Sequence, residues 1–238
     1  MLHIYIGYDS REREAFDVAA HSFRRRSTVP VQIHPLDAHD LYMRRLLWRP
    51  VQHNGGKMHD HLSDSPQSTE FAASRFLTPL IHRTGWAVFV DCDVVCLTDP
   101  AELMALADPA FAVMCVKHEY KTSADVKMDG QPQTVYPRKN WSSVCLYNCD
   151  HPAHYRLTLG MVNHWPGELL HRFAWLRDRE IGAMPAGWNW LAGEQERPAD
   201  LKLAHLTLGG PWLPGWKPAP ADEIWHAEAA SLRMATGT

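Results

Sequence analysis

The 238-residue sequence predicts an α/β fold with strands and helices in alternation. Three observations point to it. The chain opens with a strand, a helix and a second strand over residues 2–36. Residues 86–90 form an unbroken apolar run that ends in two carboxylates, Asp91 and Asp93. Short apolar runs then recur at 111–116, 144–147, 181–184 and 201–206, separated by polar or helix-forming segments.

The first strand is read from the alternation of Leu2, Ile4 and Ile6 and ends at Tyr8. Asp9 or Ser10 caps a helix running to about Arg26, with Glu12 placed three residues after Asp9 as in a capping box. Residues 29–36 form the second strand, and this order implies a parallel unit. Ligands of such folds sit beyond the carboxyl ends of the strands, where Tyr8, Asp9 and Ser10 lie. A short helix at 41–47 leads to a long polar loop reaching Gln67 and containing Asn54-Gly55-Gly56 and His59-x-His61, the histidines read as exposed. A helix follows from about Ser68 to Arg83. Its Ala73, Phe76, Leu77, Leu80 and Ile81 make a core-facing stripe, with Arg75 off that stripe and Pro79 as a kink.

After the 86–90 strand, Asp99-Pro100 starts a helix to about Leu106. The strand at 111–116 ends in Lys117-His118-Glu119, and Asp129-Gly130 marks a turn in the polar stretch beyond. Helices are expected at about 153–164 and 166–179, and a terminal helix at 222–232 packing through Ile224 and Trp225. The predicted organisation is one domain over residues 1–218 and a C-terminal helical tail over 219–238.

Apolar residues make up 45% of the chain and charged residues 21%, with a formal net charge of −3, an ordinary soluble composition. Nucleic-acid binding is excluded as a main role, because there is no basic excess to neutralise phosphates. Arg24-Arg25-Arg26 is read as a solvated helix end favoured by the macrodipole. Cys92, Cys96, Cys115, Cys145 and Cys149 form no C-x-x-C pair. Their odd count suits a reducing compartment, and buried thiols explain them better than zinc. No signal-peptide pattern is present, and no apolar run approaches the ~20 residues of a membrane span. The expected location is the cytoplasm, compatible with peripheral contact at the inner face of a membrane.

Asp91 and Asp93 are the chemical centre. Residues i and i+2 of an extended strand project to one side, so the two carboxylates repel each other and desolvate at a cost. A divalent cation resolves both problems, and hard oxygen ligands favour Mg²⁺ or Mn²⁺. Tryptophan is uneven, with eight of ten after residue 140, which suits either a plain core or a surface facing carbohydrate.

These features together resemble a known group. The strand ending in Tyr8-Asp9, the Ala73-to-Pro79 segment, the strand into Asp91-Cys92-Asp93, Asn148 ending a later strand, Met184-Pro185 leading to Trp188-Asn189, and His205 before Gly209-Gly210-Pro211-Trp212 occur in the family's order. The chain resembles a divergent GT-A glycosyltransferase of the family-eight type, the group of glycogenin and bacterial lipopolysaccharide galactosyltransferases. The resemblance spans roughly residues 2–217. It implies a Rossmann-like mixed central sheet flanked by helices in a single domain, and transfer of a sugar from a UDP-sugar to a saccharide, glycolipid or protein hydroxyl with retention of configuration.

By position it implies Asp91, Asp93 and His205 as ligands of Mn²⁺ (or Mg²⁺), a Lewis acid for the leaving diphosphate. Tyr8 and Asp9 would hold uracil and ribose, and Arg75 would sit near the diphosphate and donor sugar. Where the family has a diphosphate-clamping lysine this chain has Gly210. Lys217, or an anion nest of the Gly209 and Gly210 amides, would take that role. The family's Asp-Gln pair at the anomeric carbon has no counterpart, and the nearest segment is Glu168 to Phe173. The groups acting there are expected among Arg138-Lys139-Asn140-Trp141 and from His171 to Asn189, with His171, Arg172 and Asn189 as the candidate catalytic residues. Two alternatives stand beside this reading. One is a haloacid-dehalogenase-like phosphatase with Asp91 as nucleophile; the other is a non-catalytic sugar-nucleotide-binding protein.

Overall fold

The computed structural model describes residues 1–54, 57–119, 138, 140–219 and 221–237. In chain order the strands and helices begin with β1 (Leu2–Gly7), α1 (Arg13–Arg26), β2 (Val31–Leu36) and α2 (Ala38–Met43). They continue with β3 (Val51–Asn54), β4 (Lys57–Asp60), β5 (Ser65–Gln67), α3 (Thr78–His82), β6 (Trp86–Val90), β7 (Val94–Cys96) and α4 (Glu102–Ala105). Then come β8 (Val113–Cys115), β9 (Val144–Asn148), α5 (Leu159–His164), α6 (Gly167–His171), β10 (Ile181–Ala183), β11 (Trp190–Leu191), β12 (Leu203–His205) and α7 (Asp222–Thr236).

Six strands form the central sheet in the order β10-β8-β9-β6-β1-β2. β1 runs parallel to β2 and β6, and β10 runs parallel to β8. β9 is antiparallel to both of its neighbours, which makes the sheet mixed. Strands buried on both faces read as continuous apolar runs rather than alternations. Ala87, Val88, Phe89 and Val90 of β6 and Val144, Cys145, Leu146 and Tyr147 of β9 accordingly have no exposed surface. A second sheet, β11-β12-β7, stands beside the first, with β12 antiparallel to β7 and His205 opposite Val94.

Several expected elements take a different form. The long loop before Gln67 holds the antiparallel sheet β3-β4-β5, because Asp60 anchors its end through a buried ion pair with Arg49 (2.7 Å). The helix expected from Ser68 begins only at Ser74 as a 3₁₀ turn and becomes α-helical at Thr78, where Pro79 sits in the first turn rather than kinking an interior. Leu80 and Ile81 are only partly buried, while Arg75 is 6% exposed. The helices expected at 153–164 and 166–179 are broken into 3₁₀ turns and the short α5 and α6.

Asp9 does cap the turn at Ser10–Glu12. Glu12 makes no capping box; its carboxylate accepts from Trp212 Nε1 (3.2 Å) instead. The arginines at the end of α1 are not simply solvated. Arg25 and Arg26 reach Glu228 of α7 at 3.3 and 2.6 Å. α7 packs Trp225 and Ala229 against Val18, Val95 and Leu206. All five cysteines are free and buried, in line with the reading of them as packing residues. No helix among the described residues is long and apolar enough to cross a membrane. Asn54-Gly55-Gly56, the Asp129-Gly130 turn and Lys139 fall partly or wholly outside the described residues.

Candidate functional site

β6 ends at Val90, and the three-residue step Asp91-Cys92-Asp93 carries the chain into β7. Two backbone bonds fix this step. Asp91 N–H donates to Ser143 O (3.0 Å) at the start of β9, and Leu206 N–H donates to Asp93 O (2.9 Å) at the end of β12. The β7–β12 ladder thereby brings His205 over the two carboxylates. Its Nε2 lies 3.2 Å from Asp93 Oδ1 and 3.9 Å from Asp91 Oδ2. One ligating atom from each of Asp91, Asp93 and His205 lies within 4.8 Å of the others.

His205 is fully inside, and Asn189 sets its tautomer. Asn189 Nδ2 donates to Ser143 Oγ (2.9 Å), which leaves its carbonyl oxygen facing His205 Nδ1 at 2.9 Å. Nδ1 therefore carries a proton and Nε2 faces the carboxylates, the orientation a metal-ligating histidine needs. Burial alone would lower the His205 pKa, but the Asp93 and Asp91 carboxylates together outweigh it and the net shift is upward.

Arg75 closes the other side. Its guanidinium meets Asp91 Oδ1 at 2.8 Å, donates to Ser142 O (3.2 Å), and is held between the rings of Phe71 and Phe89, each 5.3 Å away. Burial pushes the Asp91 carboxyl up to about 6, Arg75 pulls it back and Asp93 adds to the rise. Despite these charges, neither Asp91 Oδ1 nor Asp93 Oδ1 has an aligned hydrogen bond among the described residues. Asp91 Oδ1 has the Arg75 charge beside it and Asp93 Oδ1 faces His205, but two buried carboxylates this close still carry an excess negative charge that a divalent cation would offset. Two hard oxygens and one imidazole nitrogen fit a divalent ion of the Mg²⁺ or Mn²⁺ kind.

Of the other predicted residues, His171 joins this network through Ser142, whose Oγ is 2.9 Å from His171 Nδ1. Asn189 acts on His205 rather than standing as an isolated group. Arg172 pairs with Glu168 at 3.6 Å, one turn back on its own helix. Lys217 is exposed.

Gly210 has a local cause. A Cβ there would lie 2.0 Å from the Trp212 ring, so no side chain fits and none reaches an anion from this position. The Gly209 amide donates to Leu206 O (2.8 Å), so the expected two-amide nest is not formed in this conformation. Asp9 is fully buried and accepts from the Arg11 backbone, Arg11 Nε, Arg11 Nη2 and the Glu70 amide. Those donors pull its pKa down against the effect of burial. Its carboxylate thus ties the end of β1 to Glu70, and Tyr8 stands edge-on to Phe16 (5.3 Å).

Beside them opens a cavity of about 410 Å³ lined by Ser10, Asp37, His39, Tyr42, Trp48 and Glu70 among others. Ser10 and Asp37 follow the carboxyl ends of the parallel pair β1 and β2, so the cavity lies on the same edge of the sheet as Asp91. Glu12 was missed as a site residue. Its carboxylate lies 3.9 Å from the Sγ of Cys92, the residue between the two aspartates, and burial pushes its pKa up to about 7, with further rises from Asp93 and Asp9. Sequence spacing offered no signal, because the contact with Cys92 spans 80 residues of chain.

The fold is that of GT-A glycosyltransferases. The galactosyltransferase LgtC, in complex with donor and acceptor sugar analogs, superposes with a TM-score of 0.58 at 14% identity, over 97% of this chain and 96% of that one. The apo glycosyltransferase GlyE of Streptococcus pneumoniae TIGR4 gives 0.60 at 10% identity, over 99% of this chain and 63% of that one. The WbbM bifunctional glycosyltransferase gives 0.57 at 12% identity, and this chain, matched over 95% of its length, spans about half (51%) of that protein.

No family model matches the sequence. Protein CDI of Arabidopsis thaliana is 46% identical over 231 residues, 94% of this chain and 85% of that protein. The chain belongs to the family of Protein CDI.

Proposed function

We propose that this protein is a metal-dependent glycosyltransferase that moves a sugar from a nucleotide donor, a UDP-sugar, to a hydroxyl of a saccharide, glycolipid or protein. The observation that carries the proposal is the convergence of Asp91, Asp93 and His205 at the carboxyl end of β6 in this fold. A Mn²⁺ or Mg²⁺ ion held by these three would act as a Lewis acid toward the leaving diphosphate.

The remaining work falls to the chain itself. Arg75, fixed between two rings, places a permanent charge beside Asp91 where diphosphate oxygens would lie. Asn189 keeps His205 Nε2 turned inward. The cavity beyond β1 and β2 has room for a nucleoside, with Tyr42 and Trp48 as rings for the base and Ser10, Asp37 and Glu70 for ribose hydroxyls. The five free thiols support a reducing compartment. The phosphatase reading needs Asp91 as a free nucleophile. Its pairing with Arg75 in a glycosyltransferase fold favours the sugar-transfer reading instead.

Calorimetry with UDP and Mn²⁺ tests this. The wild type is expected to bind UDP only with the metal, and Asp93→Ala to lose that dependence. Unchanged metal-dependent binding by Asp93→Ala would remove the proposed centre. A Mn²⁺-dependent hydrolysis screen across nucleotide sugars would name the donor, and binding without turnover against any acceptor would select the non-catalytic reading.

A further inference from the structure

His118 stands three residues past the end of β8 and is 8% exposed. Its backbone N–H donates to Val116 O (3.1 Å), and its carbonyl accepts from Trp141 Nε1 (3.1 Å). On the ring, Nδ1 lies 3.0 Å from the Gln195 side-chain amide nitrogen, while Nε2 is buried with no partner among the described residues. An amide N–H pointing at Nδ1 makes that atom the acceptor, so the ring proton resides on Nε2. The result is a neutral, oriented N–H donor with no acceptor among the described residues, an arrangement that costs free energy unless a ligand completes it.

The position of this donor in the fold is informative. The strand ends along one edge of the sheet run from β2 and β1, which border the nucleoside-sized cavity, to β6 with Asp91, then to the start of β9 with Ser142 and Ser143, and then to His118 after β8. A nucleotide sugar is linear, with base and ribose at one end, diphosphate in the middle and sugar at the other. With the diphosphate at Asp91 and the nucleoside toward β2, the sugar lies toward β9 and β8. Gln195 comes from the segment after β11, whose Leu191 pairs with His205, so the residue that orients His118 is anchored to the metal-binding strand. Burial holds His118 well below its ordinary value, at about 4, in keeping with a neutral ring.

Resting on the glycosyltransferase reading, we propose that His118 Nε2–H donates to a hydroxyl oxygen of the donor's glycosyl group, with Gln195 as its positioning residue. A hydroxyl suits a neutral donor, whereas a phosphate is served by the permanent charge of Arg75.

The test compares UDP with a panel of UDP-hexoses, in Mn²⁺, by calorimetry on the full chain. His118→Phe keeps a ring and removes the N–H. It is expected to bind UDP within twofold of wild type and the preferred UDP-hexose at least tenfold more weakly, and Gln195→Ala is expected to shift the same ratio by a smaller factor. Equal UDP-hexose affinity in His118→Phe, or equal loss of UDP and UDP-hexose, would overturn the proposal. If the wild type binds neither UDP nor UDP-hexose with Mn²⁺, the glycosyltransferase reading itself fails; Asp93→Ala, expected to lose UDP and UDP-hexose together, gives the pattern of a lost metal centre against which the selective loss in His118→Phe is read. A readout without ligand or substitution is the ¹⁵N spectrum of His118. Protonated Nε2 with bare Nδ1 is expected, and the Nδ1–H tautomer sinks the donor assignment.

Discussion

Asn189 and His205 are sixteen residues apart in sequence and act as one unit. The Asn189 carbonyl accepts from His205 Nδ1, and Ser143 holds the Asn189 amide the right way round. Partners of this kind typically contribute about 10–100-fold to metal affinity. Asn189→Ala is therefore expected to weaken Mn²⁺ binding by a factor in that range while leaving the three ligands in place. A titration showing no change would mean that the His205 tautomer is set elsewhere.

Glu12 gives a second prediction, on pH. Its ordinary value is 4.5, and in the folded chain it holds its proton up to about 7 because of burial and the Asp93 and Asp9 carboxylates. The proton-linked stability is fully present below 4.5 and is lost as pH rises through about 7. Glu12→Gln keeps the neutral form at all pH values. In metal-free protein its advantage over wild type should grow between pH 4.5 and 7, then level off, reaching on the order of 2 kcal/mol. Denaturation curves at pH 5 and pH 8 that differ by the same amount for both proteins would contradict it.

At the scale of elements, the site depends on the β7–β12 ladder, which joins residues more than a hundred positions apart and sets His205 opposite Val94. α7 supports this second sheet from outside, covering Val95 and Leu206 while it clasps α1. Within that clasp the Glu228 side chain is 2% exposed and is met by Arg26, Arg25 and His21. Removing one partner of a buried charge cluster leaves the others uncompensated, so Glu228→Ala should destabilise the fold by roughly 3 kcal/mol in urea unfolding. A loss under about 1 kcal/mol would show the cluster behaving as an ordinary surface pair. The helical tail expected over 219–238 is on this basis part of the packing and not an appendage.

At the scale of the molecule, binding at the centre should stabilise the whole chain, since the ligating groups converge only when folded. With Mn²⁺ and UDP at about 100 times their dissociation constant, linkage contributes about 2.7 kcal/mol. For a chain of this size that corresponds to a rise of several degrees in Tm. A chelator should reverse the rise, and no rise under saturating metal and nucleotide would contradict the proposed site.

Much of this architecture was legible from local patterns. The apolar runs of β6 and β9 and the capping at Asp9 and Asp99 depend on neighbours within a few residues. The sheet β3-β4-β5 was not legible, because its strands are short and polar and are held by Arg49 and Asp60 rather than by an apolar stripe. The broken helix around Pro79 misled for a related reason: helical spacing of apolar residues does not exclude 3₁₀ turns packed into a core.

What the sequence determined by itself is that two carboxylates, Asp91 and Asp93, follow the end of an apolar strand; the segment 91–93 bends rather than staying extended, and the contacts with β9 and β12 bring the pair together. The resemblance in motif order added His205 and Arg75. Only the tertiary structure decided that Asn189 orients His205, that Trp212 fills the space where a lysine would stand at residue 210, that Glu12 lies against Cys92, and that Gln195 orients the His118 ring. The physical reason is that orientation, burial and the lack of a hydrogen-bond partner belong to packing between distant segments, which no local spacing encodes.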